Sequence, residues 1–253
     1  MPIIQALDRA LRILDLFDEQ TPDLKITEIS RRMQLHKSTV HSLLKTLQLH
    51  GYVEQDEESG KYRLGMKLAE KGQQLLESID LRRVARPHLQ ALSDATGQTT
   101  HLVVMDGLEG VYIEKVEGAK AAIRYSRIGR RVPLHSSACG KVLAAYRPEA
   151  ELARMMKGYA FVRRTDRTIV DPAAFKAELA RVRAEGAAFD REENEPGVQC
   201  AAAPIFDHTG RVAAAMSIST MVSLVGEREL AELVGLLKRE TEAISRKLGW
   251  RAP

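Results

Sequence analysis

The sequence predicts an α+β protein in two parts, a small domain of helices with one hairpin and a larger domain with an antiparallel sheet flanked by helices. Two observations favour this. Apolar residues recur at helical spacing through most of the first fifty positions. Beyond residue 100, short apolar runs lie around glycine-containing turns, as strands of hairpins do. The 253 residues, 44% of them hydrophobic, suffice for one large or two small domains.

Composition excludes several classes of protein. No apolar run reaches the ~18 residues that a membrane span needs. The N-terminus lacks a basic segment followed by a long apolar stretch, so we expect a cytoplasmic protein with no membrane association. Cys139 and Cys200 are too few for a disulfide framework or a structural zinc site. Membrane, collagenous, disulfide-rich and disordered classes are therefore excluded.

Three helices are predicted before residue 51. The first covers residues 3–19, where apolar side chains recur at spacings of three and four, as one buried face requires: Ile4, Leu7, Leu11, Leu14 and Phe17. A short second helix is expected to begin at Thr27 as its N-cap, with Glu28 in the first turn. The third runs over residues 37–50 and ends before Gly51.

A hairpin follows the third helix. The runs 52–55 and 61–64 contain aromatic and β-branched residues and flank a polar turn with Gly60. Helix, short helix, tight turn, helix and hairpin is the order of a winged helix-turn-helix.

The third helix has a polar, acid-free outer face. Its buried stripe is formed by Val40, Leu43, Leu44 and Leu47, whereas Ser38, Ser42 and Lys45 point away from it. An ordinary amphipathic surface helix is the alternative, but such helices usually carry acids, and none occurs between Glu28 and Glu54. Insertion into the major groove of double-stranded DNA is therefore predicted. The acidic hairpin tip would be repelled by phosphates, so the expected contacts are Lys37, Ser38, Thr39, His41, Ser42 and Lys45, with Lys61 and Arg63 on the return strand.

Residues 65–96 are predicted to be helical, and their first part has no partner nearby in the sequence, as expected of a connector helix that packs against a second copy of itself. Beyond residue 100, the spacing of apolar residues changes from that of helices to that of strands. Strands are predicted at 101–106, 110–116, 187–189, 200–206 and 212–219, and helices at 138–146, 148–157, 172–185 and 227–248.

Three segments of the second domain indicate a ligand site. Residues 133–141 lead into a helix through small residues, whose exposed N–H groups bind anions. Residues 190–200 form a loop that runs into a strand. Ser217 and Ser219 lie on one face of a strand. Taken singly, each segment also fits ordinary helix packing or a common strand serine.

Several stretches in the same order resemble the IclR family of bacterial transcriptional regulators: ITEISRRMQLHKSTVHSLLKTL (26–47), GYVEQD (51–56), YRLG (62–65), VPLHSSACGKVLA (132–144), DREENEPGVQCAAAPIFD (190–207) and AAAMSIS (213–219). The resemblance implies a winged helix-turn-helix at 1–65, a linker helix at 66–82 and a GAF-like effector domain at 83–253. It also implies a homodimer or homotetramer, and a repressor or activator of a catabolic operon.

The resemblance further implies an effector site for a small carboxylate, such as a keto, aromatic or sugar acid, at Ala138, Cys139, Gly140, Asp190, Cys200, Ser217 and Ser219. Cys139 departs from the smaller or aliphatic residue of many members, which changes the shape of the pocket. Because only 5% of the residues are aromatic, a sugar acid is favoured over a benzenoid acid. No cofactor, metal site or catalytic residue is predicted.

Two other classes of protein remain open from the residues. A Cys–His enzyme or a metal site could use Cys139, Cys200, His101, His135 and His208, although no H-x-x-x-H or C-x-x-C spacing occurs. A DNA-binding architectural protein without a ligand is the other. For a regulator, we expect the ligand to favour one arrangement of the effector domains, which changes the spacing of two recognition helices on a pseudo-palindromic operator.

Overall fold

The computed structural model describes residues 3–18, 20–78, 80–120, 123 and 126–251. The chain divides into two compact units, Met1–Ser78 and Ile79–Pro253. This division falls inside the region predicted as a linker helix, 66–82.

The described part of the N-terminal unit has four helices and a hairpin: α1 (Gln5–Leu14), α2 (Ile26–Met33), α3 (Lys37–Leu49), β1 (Val53–Gln55), β2 (Tyr62–Leu64) and α4 (Met66–Ser78). The two strands are antiparallel, and Glu54 pairs with Arg63. Helices α1 to α3 and the hairpin share one core, formed by Ile13, Phe17, Leu24, Ile29, Met33, Val40, Leu44, Leu47, Val53 and Tyr62. The predicted winged helix-turn-helix is confirmed.

Three details of the predicted helices are wrong. The predicted face of the first helix is buried only toward its end, since Leu7 and Leu11 are 56% and 53% exposed. The first helix ends at Leu14 rather than near residue 19, because the Asp18 carboxylate accepts the N–H groups of Gln20 and Thr21 and stabilises a turn instead. Thr27 lies within α2, whose N-cap is Lys25, a residue whose side chain makes no capping hydrogen bond.

The C-terminal unit is built on a six-stranded sheet. Its helices and strands are α5 (Asp80–Thr96), β3 (Thr99–Asp106), β4 (Glu109–Val116), β5 (Arg131–Pro133), α6 (Ala138–Ala145), α7 (Glu149–Met156), α8 (Pro172–Glu185), β6 (Ala188–Arg191), β7 (Val198–Phe206), β8 (Val212–Met221) and α9 (Glu227–Lys247). The strand order is β5-β4-β3-β8-β7-β6, with every neighbouring pair antiparallel. The predicted strands and helices are confirmed, but the three residues of β5 were not predicted.

The sheet has two buried faces. Thr100 points to α5, where its hydroxyl donates to Leu89 O at 3.0 Å. The next residue, His101, points to the opposite face because successive strand side chains alternate. That second face packs against α6 through small and apolar side chains that include Ala202 and Ala215. The candidate ligand residues lie on the same face as His101.

Candidate functional site

The outer face of α3 is exposed as the sequence predicts. Val40 and Leu44 are 0% exposed and fix the helix on the core. Ser38, Ser42 and Lys45 are all exposed on the other side. The remaining predicted contacts are also accessible, with Lys37 and His41 exposed and Thr39 partly buried.

The hydroxyls of this face are partly engaged by their own helix. Ser42 Oγ donates to Ser38 O at 3.1 Å, and Thr46 Oγ1 donates to Ser42 O at 3.0 Å. The Ser42 oxygen keeps its lone pairs, so it can accept from a base amino group without breaking the helix-directed bond. Lys45 remains the charged group best placed for a phosphate.

The hairpin balances part of its own charge. Arg63 Nη2 lies 3.2 Å from Glu54 Oε2, an ion pair between residues opposite each other in the two strands. At the tip, Asp56 accepts a hydrogen bond from the hydroxyl of Ser59, and this hydrogen bond lowers the pKa of the Asp56 carboxyl. The Arg63 pair reduces the cationic surface that the sequence suggested for the wing, while Lys61 keeps a partly exposed side chain.

Strand register brings the predicted effector residues of the sheet together. Cys200 pairs with Ser219 and with Asp190, and Ser217 pairs with His101. The Cys200 thiol donates to Ser219 Oγ at 3.1 Å. All seven predicted ligand residues are buried, and all of them apart from Gly140 are only 1–7% exposed.

His101 joins this cluster, although the sequence placed it only among possible enzyme or metal residues. Its Nδ1 lies 3.5 Å from Ser217 Oγ and 3.3 Å from Ser219 Oγ, and its Nε2 lies 2.7 Å from Ser126 Oγ. The ring centroid of Tyr112 is 4.9 Å away. Burial, followed by the charge of Lys115, lowers the pKa of His101 to about 3, so the ring is neutral at physiological pH.

The start of α6 is tightly packed and capped. Ser137 Oγ accepts the N–H of Gly140 at 3.0 Å and donates to Pro133 O at 2.7 Å. A Cβ at Gly140 would lie 2.3 Å from Pro133 O, so only glycine fits there. The capping bond removes Gly140 from the free donors, which leaves Ala138 and Cys139 as the N–H groups that this helix start offers.

A buried charge holds the loop between β6 and β7 against α6. Lys141 is 0% exposed, and its Nζ lies 2.6 Å from Glu193 Oε1, 3.3 Å from Glu178 Oε1 and 2.7 Å from Phe189 O. In the sequence analysis, Lys141 was included only as part of the 132–144 stretch and was given no role. A lysine one turn inside a predicted buried helix was the available signal that it has a buried partner.

Asp190 is fixed at the start of the same loop. Its Oδ1 accepts the N–H of Glu193 at 2.7 Å and that of Asn194 at 3.2 Å. Burial, followed by the charge of Glu193, raises the pKa of Asp190 to about 7. The carboxyl therefore titrates near physiological pH and presents either an acceptor or a donor to the cluster.

The thiol chemistry does not favour a nucleophile. Burial raises the pKa of the Cys139 thiol to about 12, so the thiolate required for attack is scarce at neutral pH. Among the described residues, no group of three or more His, Cys, Asp or Glu side chains is arranged to hold a metal ion.

Two cavities of the C-terminal unit lie away from this cluster. One of about 370 Å³ is lined by residues that include His135 and Tyr159, and one of about 210 Å³ lies beside Trp250. His135 is not free for a ligand, because its Nδ1 contacts Tyr159 Oη at 2.8 Å and its Nε2 contacts Val162 O at 3.1 Å.

The exposed basic helix of a winged helix-turn-helix, joined to a domain with a buried polar cluster, defines a DNA-binding transcriptional regulator with an effector domain. Family models agree: the IclR helix-turn-helix domain matches residues 6–57, and the bacterial transcriptional regulator IclR C-terminal domain matches residues 73–246. The chain belongs to the IclR family of bacterial transcriptional regulators. Within the described residues, no helix is long and apolar enough to span a membrane.

Individual relatives cover almost the whole chain. The HTH-type transcriptional regulator XynR of Escherichia coli is 55% identical over 252 residues, covering 100% of both chains. The DNA-binding transcriptional repressor YiaJ of the same species is 36% identical, over 97% of this chain and 88% of its own. An IclR homologue of Microbacterium hydrocarbonoxydans, solved in complex with 4-hydroxybenzoate, has a TM-score of 0.83 at 27% identity, over 96% of this chain and 98% of its own.

Proposed function

We propose that this regulator represses a catabolic operon and that a small hydroxy carboxylate, such as a sugar acid, controls its binding to DNA. The observation that carries the proposal is the buried polar cluster on the sheet face, where hydroxyls, an imidazole and a carboxyl meet the start of α6. The repressor role is supported by the name of the relative YiaJ. A bound hydroxy acid is supported by the homologue that holds 4-hydroxybenzoate. Because its target is chromosomal DNA, we place the protein in the cytoplasm.

The proposed DNA contacts are those of α3 and the wing. Lys45 meets phosphate, and His41 and Ser42 contact base edges, because these side chains share the exposed face of a helix anchored by Val40 and Leu44. The other proposed contacts are Lys37, Ser38, Thr39, Lys61 and Arg63.

A homodimer, or a pair of dimers, is the proposed assembly on a pseudo-palindromic operator. The beginning of the chain supports it, because apolar side chains just before and along α1 stay exposed: Ile3, Ile4, Leu7 and Leu11. A second copy that covers these side chains would bring two recognition helices to two half-sites.

The proposed effector contacts divide by hydrogen-bonding character. The N–H groups of Ala138 and Cys139 at the start of α6 suit a carboxylate, since a helix N-terminus favours negative charge. Asp190, Ser217 and Ser219 suit ligand hydroxyls, while Cys200 holds Ser219 in place and Gly140 allows α6 to pack closely. We expect a bound ligand to favour one arrangement of the effector domains and so change DNA affinity.

The test removes hydroxyls from the cluster. Gel-shift titrations on the regulator's own promoter region, with aldonic, keto and aromatic acids, identify the class of ligand that changes DNA affinity. The Ser217→Ala/Ser219→Ala variant should bind DNA normally and lose about tenfold or more in ligand affinity, because each neutral hydrogen bond contributes about 0.5–1.5 kcal/mol and bonds to charge contribute more.

The matched control is Ser93→Ala, a buried serine of α5 whose hydroxyl donates to Gln98 O at 2.9 Å, on the other side of the sheet. It should leave ligand affinity unchanged. Equal ligand affinity in the wild type and the double variant would place the effector site elsewhere.

A further inference from the structure

The direction of the hydrogen bonds around His101 follows from one carbonyl. Ile123 O can only accept, so the Ser126 hydroxyl, 3.1 Å away, donates to it. Lys115 Nζ donates to the same carbonyl at 2.8 Å and to Ser126 O at 2.8 Å, which fixes Ile123 and Ser126 against β4. With its proton directed to Ile123, Ser126 Oγ accepts from His101 Nε2. This arrangement assigns the imidazole proton to Nε2.

The other ring nitrogen is consequently an acceptor that faces the cluster. Moving the proton to Nδ1 would require Ser126 to donate to Nε2 and to give up its bond to Ile123 O, which would then keep only the hydrogen bond from Lys115. At Nδ1, the hydroxyls of Ser217 and Ser219 lie at 3.5 and 3.3 Å. Both distances exceed the roughly 2.5–3.2 Å usual for protein hydrogen bonds, so these bonds are weak and a better donor can replace them.

We propose that Nδ1 of His101 accepts a hydrogen bond from a hydroxyl of the effector and thereby selects hydroxy acids over their deoxy and keto analogues. This rests on the proposed function, that a small carboxylate binds beside the start of α6. A carboxylate or keto oxygen has no proton to donate, so at Nδ1 its lone pair would be repelled by the lone pair of the nitrogen. A hydroxyl in the same position donates a hydrogen bond to Nδ1. The neutral imidazole thus directs the carboxylate of the ligand away from β3 and its hydroxyl end toward it.

One arm of the test needs no ligand. Long-range ¹H–¹⁵N spectra of the wild-type protein, with the His101 signals assigned by their loss in His101→Asn, report which nitrogen carries the proton. We expect the Nε2–H tautomer, unchanged between pH 5 and 8 because the ring is buried and neutral. A protonated Nδ1, or a ring that becomes cationic in this range, would overturn the proposal, whether or not any variant binds a ligand.

The second arm is a cycle between protein and ligand. Calorimetric titrations of wild type, His101→Asn and His101→Leu use five- and six-carbon aldonates and each monodeoxy analogue. In the wild type, loss of one particular hydroxyl should weaken binding about threefold to tenfold, as expected for one hydrogen bond. That penalty should disappear in His101→Leu and persist in part in His101→Asn, whose amide oxygen can still accept.

The outcomes separate the two proposals. If no aldonate binds the wild type, the proposed effector class is wrong and hydroxyl selection is overturned with it. If aldonates bind and His101→Leu shows the same penalty for every missing hydroxyl, His101 does not read the ligand, and the effector class stands. Retained DNA binding and Trp250 fluorescence establish that each variant is folded, and a variant that fails this check leaves the decision to the tautomer measurement.

Discussion

Replacement of Lys141 by methionine should destabilise the C-terminal unit by about 3–5 kcal/mol, the usual cost of removing one partner from a buried ion pair. Methionine keeps most of the side-chain volume, so the loss is one of charge and hydrogen bonds. The structure places the effect at the upper end of the range. Glu193 is nearly buried, its Oε1 loses the contact at 2.6 Å, and its Oε2 has no hydrogen-bond partner among the described residues. Glu178 is less affected, because Arg181 remains 2.6 Å from it.

Trp250 makes the assay specific. It is the single tryptophan of the sequence and stacks on Phe206, with ring centroids 5.1 Å apart. Its fluorescence during urea unfolding therefore reports the C-terminal unit alone. The control is Lys176→Met, since Lys176 pairs with Glu149 at 3.2 Å but both side chains are largely exposed. Exposed pairs contribute ~0–1 kcal/mol, so this variant should unfold close to the wild type.

The pH dependence gives a second check with a fixed sign. Burial raises the pKa of Glu193 in the folded state, and Lys141 opposes that rise. Without Lys141 the folded pKa increases further above the unfolded value, so the folded state binds more protons than the unfolded state and stability falls as pH rises. The deficit of Lys141→Met should be smaller at pH 5 than at pH 8.

Removing the second charge should restore stability. Lys141→Met/Glu193→Leu replaces the buried pair with apolar groups and should recover more than half of the loss. A deficit in Lys141→Met no larger than that of the Lys176→Met control, at every pH, would refute the conclusion that this ion pair holds the loop to α6.

The remaining predictions concern DNA contacts and α6. Lys45→Ala should weaken binding to all DNA sequences and reduce the salt slope of log K by about 0.9, measured by fluorescence anisotropy from 50 to 200 mM salt; an unchanged slope would remove Lys45 from the phosphate contacts. Glu57→Gln/Glu58→Gln should leave DNA affinity unchanged or raise it at low salt, and a clear loss would show a specific contact by the wing tip. Gly140→Ala should cost about 1–3 kcal/mol by urea unfolding, because its Cβ would overlap Pro133 O, whereas Gly235→Ala in α9 has open space and should stabilise by about 0.5–1 kcal/mol; equal effects would contradict the tight fit of α6.

Helical periodicity predicted which side chains of α3 are buried, because the face on which a helical residue lies depends only on its neighbours three and four positions away. The structure confirms that Val40 and Leu44 are buried and that Lys45 is exposed. The same reasoning failed where local hydrogen bonds compete with the helix. Asp18 captures two backbone N–H groups and ends the helical region early, although Phe17 continues the apolar spacing. Strand β5 was missed because three residues are too few to show a period.

The sheet residues of the candidate site were predictable only in part. Because side chains alternate along a strand, the sequence predicted that Ser217 and Ser219 lie on one face of the sheet. The strand register confirms this, since Ser217 is opposite His101 of β3 and Ser219 is opposite Cys200 of β7. His101 could not be added from the sequence, since its approach depends on β3 lying next to β8, a pairing of segments more than 110 residues apart. Lys141 is similar, because its partner Glu193 is 52 residues away.

The sequence also identifies hydrogen-bonding groups without giving the direction of their bonds, and direction decides what a pocket can bind. From the sequence alone, Ser217, Ser219 and the start of α6 suggested a pocket of hydrogen-bond donors that would bind a carboxylate. In the structure, Ser219 accepts from Cys200 at 3.1 Å, and both serine hydroxyls lie within 3.5 Å of His101 Nδ1, which can only accept while the ring proton stays on Nε2. The sheet side of the cluster is therefore rich in acceptors, whereas the free N–H groups lie at α6. A ligand that satisfies both sides carries a carboxylate at one end and hydroxyls at the other, which is why a hydroxy acid fits this site better than a simple carboxylate.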